Sequence, residues 1–107
     1  MQKFDELLKK LNELNIKQTS SDWAEDIPED VWDEYFIGGY KLVANGLDVD
    51  KHRWYETCTD VIHIYGRFLG VMYVADIFSE QMNVQDCYVS IKFKEMKEVK
   101  TVKYVDL

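Results

Sequence analysis

The sequence predicts an α+β fold in which N-terminal amphipathic helices precede a curved antiparallel β-meander of five or six strands. Apolar residues recur at helical spacing up to Phe36, and from Tyr40 onward their period changes from 3.6 to 2. Pro28 is the single proline of the chain, so no proline interrupts the strand ladders that follow. We therefore expect one domain over residues 1–107, with a helical region at 1–37 and an antiparallel sheet at 38–107.

The first helix is predicted at residues 2–15. Five apolar residues of this segment follow the i, i+3, i+4, i+7 rhythm of one helical face: Phe4, Leu7, Leu8, Leu11 and Leu14. Charged and amide side chains occupy most of the other positions. The helix is therefore expected to bury one face and to leave the other in water.

A second helical region is predicted at residues 19–36, with an interruption at Pro28. Proline lacks an N–H, and its ring is tolerated only in the first turn of a helix, so Pro28 indicates a new helix start. Asp26 is expected to cap this helix and Glu29 to return the capping bond. Gly38-Gly39 is expected to end it. Whether Pro28 separates two helices or kinks one is left open by the pattern.

The first hairpin is predicted at Asn45-Gly46, the preferred residue pair for a type I′ turn. A two-residue turn at this position would place Leu42 opposite Val49 and Lys41 opposite Asp50. The resulting alternation puts apolar residues on one face and charged residues on the other, as expected for a hairpin with one buried face.

A second hairpin is predicted at Gly66-Arg67, which suits a type II′ turn and would place Ile64 opposite Leu69. One face of its two strands is the predicted main core, with Glu56 and Asp60 as polar exceptions: Trp54, Cys58, Ile62, Ile64, Leu69, Val71, Tyr73, Ala75 and Ile77. The reverse face is also rich in apolar residues: Tyr55, Val61, His63, Tyr65, Phe68, Met72, Val74 and Phe78. Since so much apolar surface is not left in water, either the N-terminal helices or a second copy of the chain is expected to cover the reverse face.

The last third of the chain is predicted to begin with a loop over residues 79–86 that contains one helical turn at 83–86. Alternating residues from Val89 to Phe93 then predict a strand, a turn is expected at Lys97-Glu98, and a last strand is expected at about residues 99–105. Cys58 and Cys87 lie in apolar surroundings, which favours free thiols over a disulfide.

Length and composition bound the class of protein. A chain of 107 residues can bury a core without a metal or a disulfide framework. No segment approaches the roughly 18 apolar residues of a membrane span, and the first residues lack the apolar stretch of a secretory signal. We therefore expect a cytoplasmic protein that does not act at a membrane.

The negative charge is concentrated in one segment. Residues 1–17 carry four basic and three acidic groups, residues 41–107 carry nine and ten, and residues 18–40 carry seven acids and no base. The segment 18–40 therefore accounts for a charge equal to the net −7 of the whole chain. A chain with this distribution repels nucleic acid and attracts a basic protein surface.

The seven acids of this segment are spaced three and four apart, as a single helical stripe requires. They are the predicted partner-binding residues: Asp22, Glu25, Asp26, Glu29, Asp30, Asp33 and Glu34. Trp23 and Trp32 are candidate hot-spot anchors if they are exposed. The competing explanation is a solvated helix face, since acids also favour the first turns of helices.

Other chemistry has little support in the sequence. Asp48, Asp50 and His52 alternate on one strand face and could offer metal ligands, but a cross-strand charge pair between Lys41 and Asp50 is the simpler account. Cys58 and the nearest histidine point to opposite faces of their strand, which argues against a thiol nucleophile. We therefore predict no catalytic residue, no metal and no cofactor.

The segment Arg53-Trp54-Tyr55-Glu56-Thr57-Cys58-Thr59-Asp60-Val61-Ile62 is followed by Phe68-Leu69-Gly70-Val71, Phe78-Ser79-Glu80-Gln81-Met82 and Asp86-Cys87. Together these motifs resemble a family of small proteins encoded by phages and integrated elements of Gram-positive bacteria. The resemblance spans residues 50–105 and carries no catalytic signature. It implies a protein of the host cytoplasm that is similar to anti-CRISPR and antirestriction inhibitors, many of which occupy a nucleic-acid site.

Two functions follow as hypotheses. The first is a non-enzymatic inhibitor whose acidic helical ridge engages the basic surface of a nuclease or another nucleic-acid-handling defence enzyme, without binding nucleic acid itself. The alternative is a structural or assembly protein of a phage or mobile element, which forms a homodimer through the reverse face of the sheet.

Overall fold

The computed structural model describes residues 2–87, 89–99 and 103–107 of the chain. It confirms the α+β class: helical segments at the N-terminus are followed by a curled, five-stranded antiparallel sheet in the form of a half-barrel. Helix α1 spans Lys3–Leu14 and buries Phe4, Leu7 and Leu11, as the spacing predicts. It ends at Asn15, which adopts the left-handed conformation of a common helix C-cap.

Pro28 separates two helical segments. A 3₁₀ helix spans Trp23–Asp26, and helix α2 spans Glu29–Val31 and continues without a break as a π-helical turn at Trp32–Phe36. Pro28 itself is the N-cap of α2, and its carbonyl accepts a hydrogen bond from the amide of Trp32.

The predicted capping box is wrong. The Asp26 carboxylate accepts hydrogen bonds from the backbone amide and the hydroxyl of Thr19 rather than capping α2. The reason lies in the backbone at Ile27, which is extended with φ −70° and ψ 125°, so that the N-cap position falls on Pro28 and Asp26 lies outside the helix.

The sheet is a simple meander in which consecutive strands are neighbours and every pair is antiparallel. Strands β1 and β5 form its edges. The five strands are β1 Lys41–Lys51, β2 Tyr55–Ile64, β3 Arg67–Ile77, β4 Lys92–Val99 and β5 Lys103–Asp106.

The predicted hairpin at Asn45-Gly46 is wrong. These residues lie inside β1, which pairs with β2, so Leu42 faces Ile62 instead of Val49. The register shifts three times along this pair, and Gly46 and Asp48 adopt positive φ of 71° and 50°. The turn-forming pair is therefore used as part of a bulged, strongly twisted strand, because pairing with β2 outweighs the local turn preference.

The second hairpin is confirmed, but its turn lies one residue earlier than predicted. Tyr65 and Gly66 are the central residues, both with positive φ, as in a type I′ turn. Ile64 consequently pairs with Arg67 instead of Leu69. A register slip of two residues keeps the paired side chains of Thr57–Ile64 on their predicted faces, because the side-chain period of a strand is 2. A further register shift between Glu56 and Thr57 ends this agreement, and Ala75, which is predicted in the core, is exposed.

The helices cover the main core face, contrary to the prediction that they cover the reverse face. Side chains of α1 and of the second helical region pack on Cys58, Ile62, Leu69 and Val71. Trp54, which the alternation places in this core, is 47% exposed because it lies in the bend that precedes β2.

Part of the reverse face is covered by residues of the sheet itself. All five strands contribute to a second apolar cluster, which comprises Val43, Ala44, Leu47, Val61, Phe68, Met96 and Tyr104. The curl of the sheet brings these side chains together, whereas Met72 lines a groove on the same face and Tyr65 and Phe78 are exposed.

Residues 16–18 fill a gap between β3 and the chain that leads into β4. The Ile16 carbonyl accepts from the amide of Ile91, and the Gln18 amide donates to the Val89 carbonyl. The Gln18 side chain bonds to both backbone groups of Val74, with its Oε1 2.7 Å from the Val74 nitrogen and its Nε2 2.9 Å from the Val74 oxygen. A side-chain amide thus replaces a missing strand partner. This insertion also explains why β4 begins at Lys92 and not at the predicted Val89.

The C-terminal elements agree with the prediction in part. A 3₁₀ turn at Val84–Cys87 matches the predicted helical turn. The predicted turn at Lys97-Glu98 is wrong, because both residues lie within β4 and pair with β5. The connection between β4 and β5 falls outside the described residues. None of the described helices has the length and apolar character that crossing a bilayer demands.

Arg67 joins α1 to the sheet. Its guanidinium contacts the Glu95 carboxylate at 2.7 Å, the Asp5 carboxylate at 3.0 Å and the Phe4 ring at 4.4 Å from the centroid. Hydrogen bonds to these two carboxylates raise the pKa of Arg67, which therefore stays charged at every relevant pH.

Gly66→Ala is expected to lower the free energy of unfolding by about 1–2 kcal/mol, because an L-residue is strained at a φ of +75°. Gly38 is a matched control, since neither glycine has an atom within 4 Å of an added Cβ and only Gly66 has positive φ. Gly38→Ala should change stability by less than about 0.5 kcal/mol. Urea unfolding of the two variants measures both values, and equal effects would contradict the role of the turn.

Candidate interaction surface

The seven acids of the N-terminal segment do not form one continuous stripe. The extended backbone at Ile27 and Pro28 separates the 3₁₀ helix from α2, which divides the acids into two groups. The first group comprises Asp22, Glu25 and Asp26, and the second comprises Glu29, Asp30, Asp33 and Glu34.

Acids of the first group hold the segment together. The Asp22 carboxylate caps the 3₁₀ helix by accepting from the amide of Ala24 at 3.1 Å. Ser20 donates its hydroxyl to the Glu25 carboxylate at 3.0 Å, and Asp26 bonds to Thr19 as described above. These three carboxylates therefore have structural roles, whether or not a partner also contacts them.

Acids of the second group are free of such roles. All four side chains are exposed, and none forms an ion pair with a described residue. The opposite side of the same helical segment is buried through Val31, Tyr35 and Phe36. The segment thus packs through its apolar side and presents to the outside four carboxylates that have no ion-pair partner among the described residues.

Trp23 is not a candidate anchor, because it is buried rather than exposed. Its indole Nε1 donates to the Asp60 carboxylate at 3.0 Å. Asp60 also accepts from the Tyr73 hydroxyl at 2.8 Å and from the Gly46 amide at 3.0 Å. This buried carboxylate joins the 3₁₀ helix, the bulge of β1 and strand β3. Burial raises the pKa of Tyr73 and its bonds to Cys58 and Asp60 raise it further, so the hydroxyl remains a donor.

Trp32 stays a candidate anchor. It is half-buried, its ring stacks on Phe36 at 5.2 Å between centroids, and its edge meets Tyr40 at 5.8 Å. Ile37, the next residue after the helix, is 70% exposed. The four free acids therefore lie beside an aromatic and an aliphatic side chain that are available to a partner.

The π-helical turn is fixed to the sheet by Tyr35. Its carbonyl accepts from the hydroxyl of Tyr65 at 2.6 Å, and the Lys3 ammonium lies 4.7 Å from its ring centroid. Burial raises the pKa of Tyr35, and the neighbouring Glu34 carboxylate raises it further. π-Helical turns are rare and often lie at functional sites, which favours this segment as a candidate interaction surface.

The other candidate residues from the sequence are dispersed. Lys41 pairs with His63 across the strands, so the predicted charge pair with Asp50 is wrong. His52 Nε2 lies 3.6 Å from the Asp50 carboxylate, and its ring stacks on Tyr55 at 4.6 Å. Within the described ranges, no group of three or more His, Cys, Asp or Glu residues converges as metal ligands would.

The two cysteines are free thiols, of which Cys58 is buried and Cys87 is half-buried. Cys58 lies in the core beneath the helices, whereas His63 contacts Phe68 on the reverse face at 5.1 Å between ring centroids. The predicted opposite orientation of Cys58 and His63 is confirmed. Burial raises the pKa of the Cys58 thiol, which disfavours the reactive thiolate.

Sequence reasoning missed a groove on the reverse face of the sheet. Its walls include Asp48, Asp50, Lys92 and Lys94, which lie on strands that are distant in sequence. The incorrect hairpin at Asn45-Gly46 pairs Asp50 with Lys41 of the same segment. The sequence therefore did not predict that Asp48 and Asp50 lie next to β2. The sequence indicated only that Lys92 and Lys94 share one face of a strand, because they alternate with Phe93.

The chain matches no protein-family model, no curated protein and no solved structure. The resemblance to small phage and mobile-element proteins therefore stays a prediction.

Proposed function

We propose that this protein is a non-enzymatic inhibitor that docks its acidic helical surface on a basic, nucleic-acid-binding surface of a host defence enzyme. The observation that carries the proposal is the group of four exposed carboxylates on α2 and its π-helical extension. They are Glu29, Asp30, Asp33 and Glu34, and none has a salt-bridge partner among the described residues.

The negative charge of the protein is concentrated in one segment. The segment 18–40 carries seven acids and no base, while the rest of the chain is nearly balanced. Such a distribution creates a local negative field that steers association with a basic groove and weakens at high salt. The same field repels a phosphate backbone, so competition with nucleic acid for one basic groove is the expected mode of inhibition.

The apolar neighbours supply the contacts that charge alone does not. Buried aromatic side chains dominate the binding energy of most protein interfaces, whereas rim charges mainly set the association rate. Trp32 and Ile37 are the candidates for this role, because they lie beside the free acids and retain exposed surface. In this proposal the protein acts in the cytoplasm of the host that carries the phage or mobile element.

A homodimer formed through the reverse face of the sheet is the alternative function. It rests on the apolar content of the reverse face, of which Val61 and Phe68 pack in the cluster formed by the five strands, whereas Tyr65 and Phe78 are exposed. Phe68 of this face is half-buried, with its ring 5.3 Å from that of Tyr104. The homodimer stays a prediction that sedimentation of the wild-type protein can test.

The proposal is tested by capture of partners from host lysate on immobilised protein, at low and at moderate salt. Reversal of the four free acids to lysine is expected to reduce retention of a nucleic-acid-handling enzyme at least about tenfold, since several close charge pairs are lost. Retention by the wild type should fall as salt rises.

The control reverses four other acids to lysine, namely Glu6, Glu13, Asp76 and Glu80, which are exposed and lie outside segment 18–40. Both variants change the net charge equally, so only the position of the charge differs. Circular dichroism verifies that each variant is folded. An equal loss of partner binding in both variants would attribute the effect to net charge and not to position. Undiminished partner binding by the variant that reverses the acids of α2 and its π-helical extension would contradict the proposal.

A further inference from the structure

The reverse face of the sheet carries a groove of about 360 Å³ between its edge strands. Thr57 and Thr59 of β2 and Met72 of β3 form its floor, and Met96 lies beside Gly70 within it. The groove continues toward His52 and Tyr55, because a second depression shares Asp50, Thr57, Met72 and Lys92 with it. The volume lies in the range of small-molecule sites in proteins.

The two walls of the groove have opposite charge. Asp48 and Asp50 of β1 form one wall, and Lys92 and Lys94 of β4 form the other, where Asp106 of β5 lies beside Lys94. Strands β2 and β3 lie between them, so the walls are three strand spacings apart, about 14 Å along the sheet. The side chains reach inward from both sides and shorten the gap between the charged groups.

The wall charges are only partly neutralised within the chain. Lys94 forms a salt bridge of 2.9 Å with Asp106 of β5. Asp50 lies 3.6 Å from the Nε2 atom of His52. Lys92 and Asp48 have no ion-pair partner among residues 2–87, 89–99 and 103–107. A ligand that neutralises both walls must therefore place a cationic group beside β1 and an anionic group beside β4.

We infer that this groove binds a small zwitterion, with its ammonium group beside Asp48 and Asp50 and its carboxylate beside Lys92. The hydroxyls of Thr57 and Thr59 lie between the charged walls and provide hydrogen bonds to the polar middle of the ligand. A free amino acid and a short peptide with free termini share this chemistry. The site is independent of the acidic helical surface, because the helical segment that carries those acids packs its apolar side against the opposite face of the sheet.

The test is a titration of the ¹⁵N-labelled protein with triglycine, followed by NMR at low salt. Saturable shifts are expected at the amides of Asp50, Thr57 and Lys92, with a millimolar dissociation constant, as suits a ligand held by a few charged contacts. N-acetyltriglycine lacks the ammonium group and triglycinamide lacks the carboxylate. Each is expected to bind at least about fivefold more weakly than triglycine.

Variants locate the site. Lys92→Gln is expected to weaken triglycine binding about fivefold and to abolish the preference over triglycinamide, while Asp50→Asn should abolish the preference over N-acetyltriglycine. Lys10→Gln, which changes an exposed lysine of α1, is the matched control and should leave binding unchanged.

A glycine titration distinguishes the two sources of the ligand: tighter triglycine binding identifies a peptide, and tighter glycine binding identifies an amino acid. Absence of saturation for both ligands at about 50 mM, or equal binding of the blocked compounds, would overturn the inference.

Discussion

Asp60→Ala is expected to destabilise the protein by about 3–5 kcal/mol, because it removes the acceptor of three donors that lie in or beside the core. The donors are the indole of Trp23, the hydroxyl of Tyr73 and the amide of Gly46. The indole and the hydroxyl are buried, so water cannot replace the carboxylate there without opening the contact between the 3₁₀ helix and the sheet. The bulge of β1 is expected to loosen together with the helix.

Chemical denaturation measures the loss, and the indole resonance of Trp23 reports whether its hydrogen bond is broken. Asp60→Asn keeps one acceptor oxygen and is expected to lose less stability than Asp60→Ala. Asp76→Ala is the control at an exposed position of β3 and should change stability by less than about 0.5 kcal/mol. A loss of less than about 1 kcal/mol for Asp60→Ala would show that the network contributes little to the fold.

Gln18→Leu is expected to destabilise the protein by about 3 kcal/mol, although leucine fills nearly the same volume. The substitution leaves the backbone N–H and C=O of Val74 without their partners, and each buried orphan costs about 1–3 kcal/mol. Hydrogen exchange at the Val74 amide is expected to accelerate more than exchange elsewhere in β3. This local signature separates loss of the hydrogen bond from a general loss of packing.

Gln85→Leu is the control for Gln18→Leu, since Gln85 is exposed on the 3₁₀ turn. Its stability and its exchange rates should match those of the wild type. If Gln18→Leu also leaves the exchange of Val74 unchanged, the side chain of Gln18 is not the strand substitute that its geometry indicates.

Local patterns predicted much of the secondary structure. The apolar rhythm of α1 and the alternation in β2 and β3 are properties of short segments, and all three elements form where they are predicted. The turn between β2 and β3 was placed within one residue, because glycine tolerates positive φ at low cost. The concentration of acids in residues 18–40 was likewise visible directly.

Predictions failed where distant segments compete with local preference. Asn45-Gly46 favours a turn, yet ten residues of β2 offer β1 a longer ladder than a two-residue hairpin would. Asp26 favours a helix cap, yet Thr19 offers its carboxylate two hydrogen-bond donors. Trp23 was a candidate for exposure until the buried carboxylate of Asp60 fixed its indole in the core.

The sequence by itself determined the class of the fold, the order of its elements and the segment that carries the net charge, because these depend on residue type and local spacing. Only the tertiary structure decided which face of the sheet the helices cover, and which of the seven acids are free of structural bonds. It also brought Asp48 and Asp50 into one groove with Lys92 and Lys94. The physical reason is that burial and pairing depend on contacts between segments far apart in the chain, whose energies together exceed the preference of any single turn or cap.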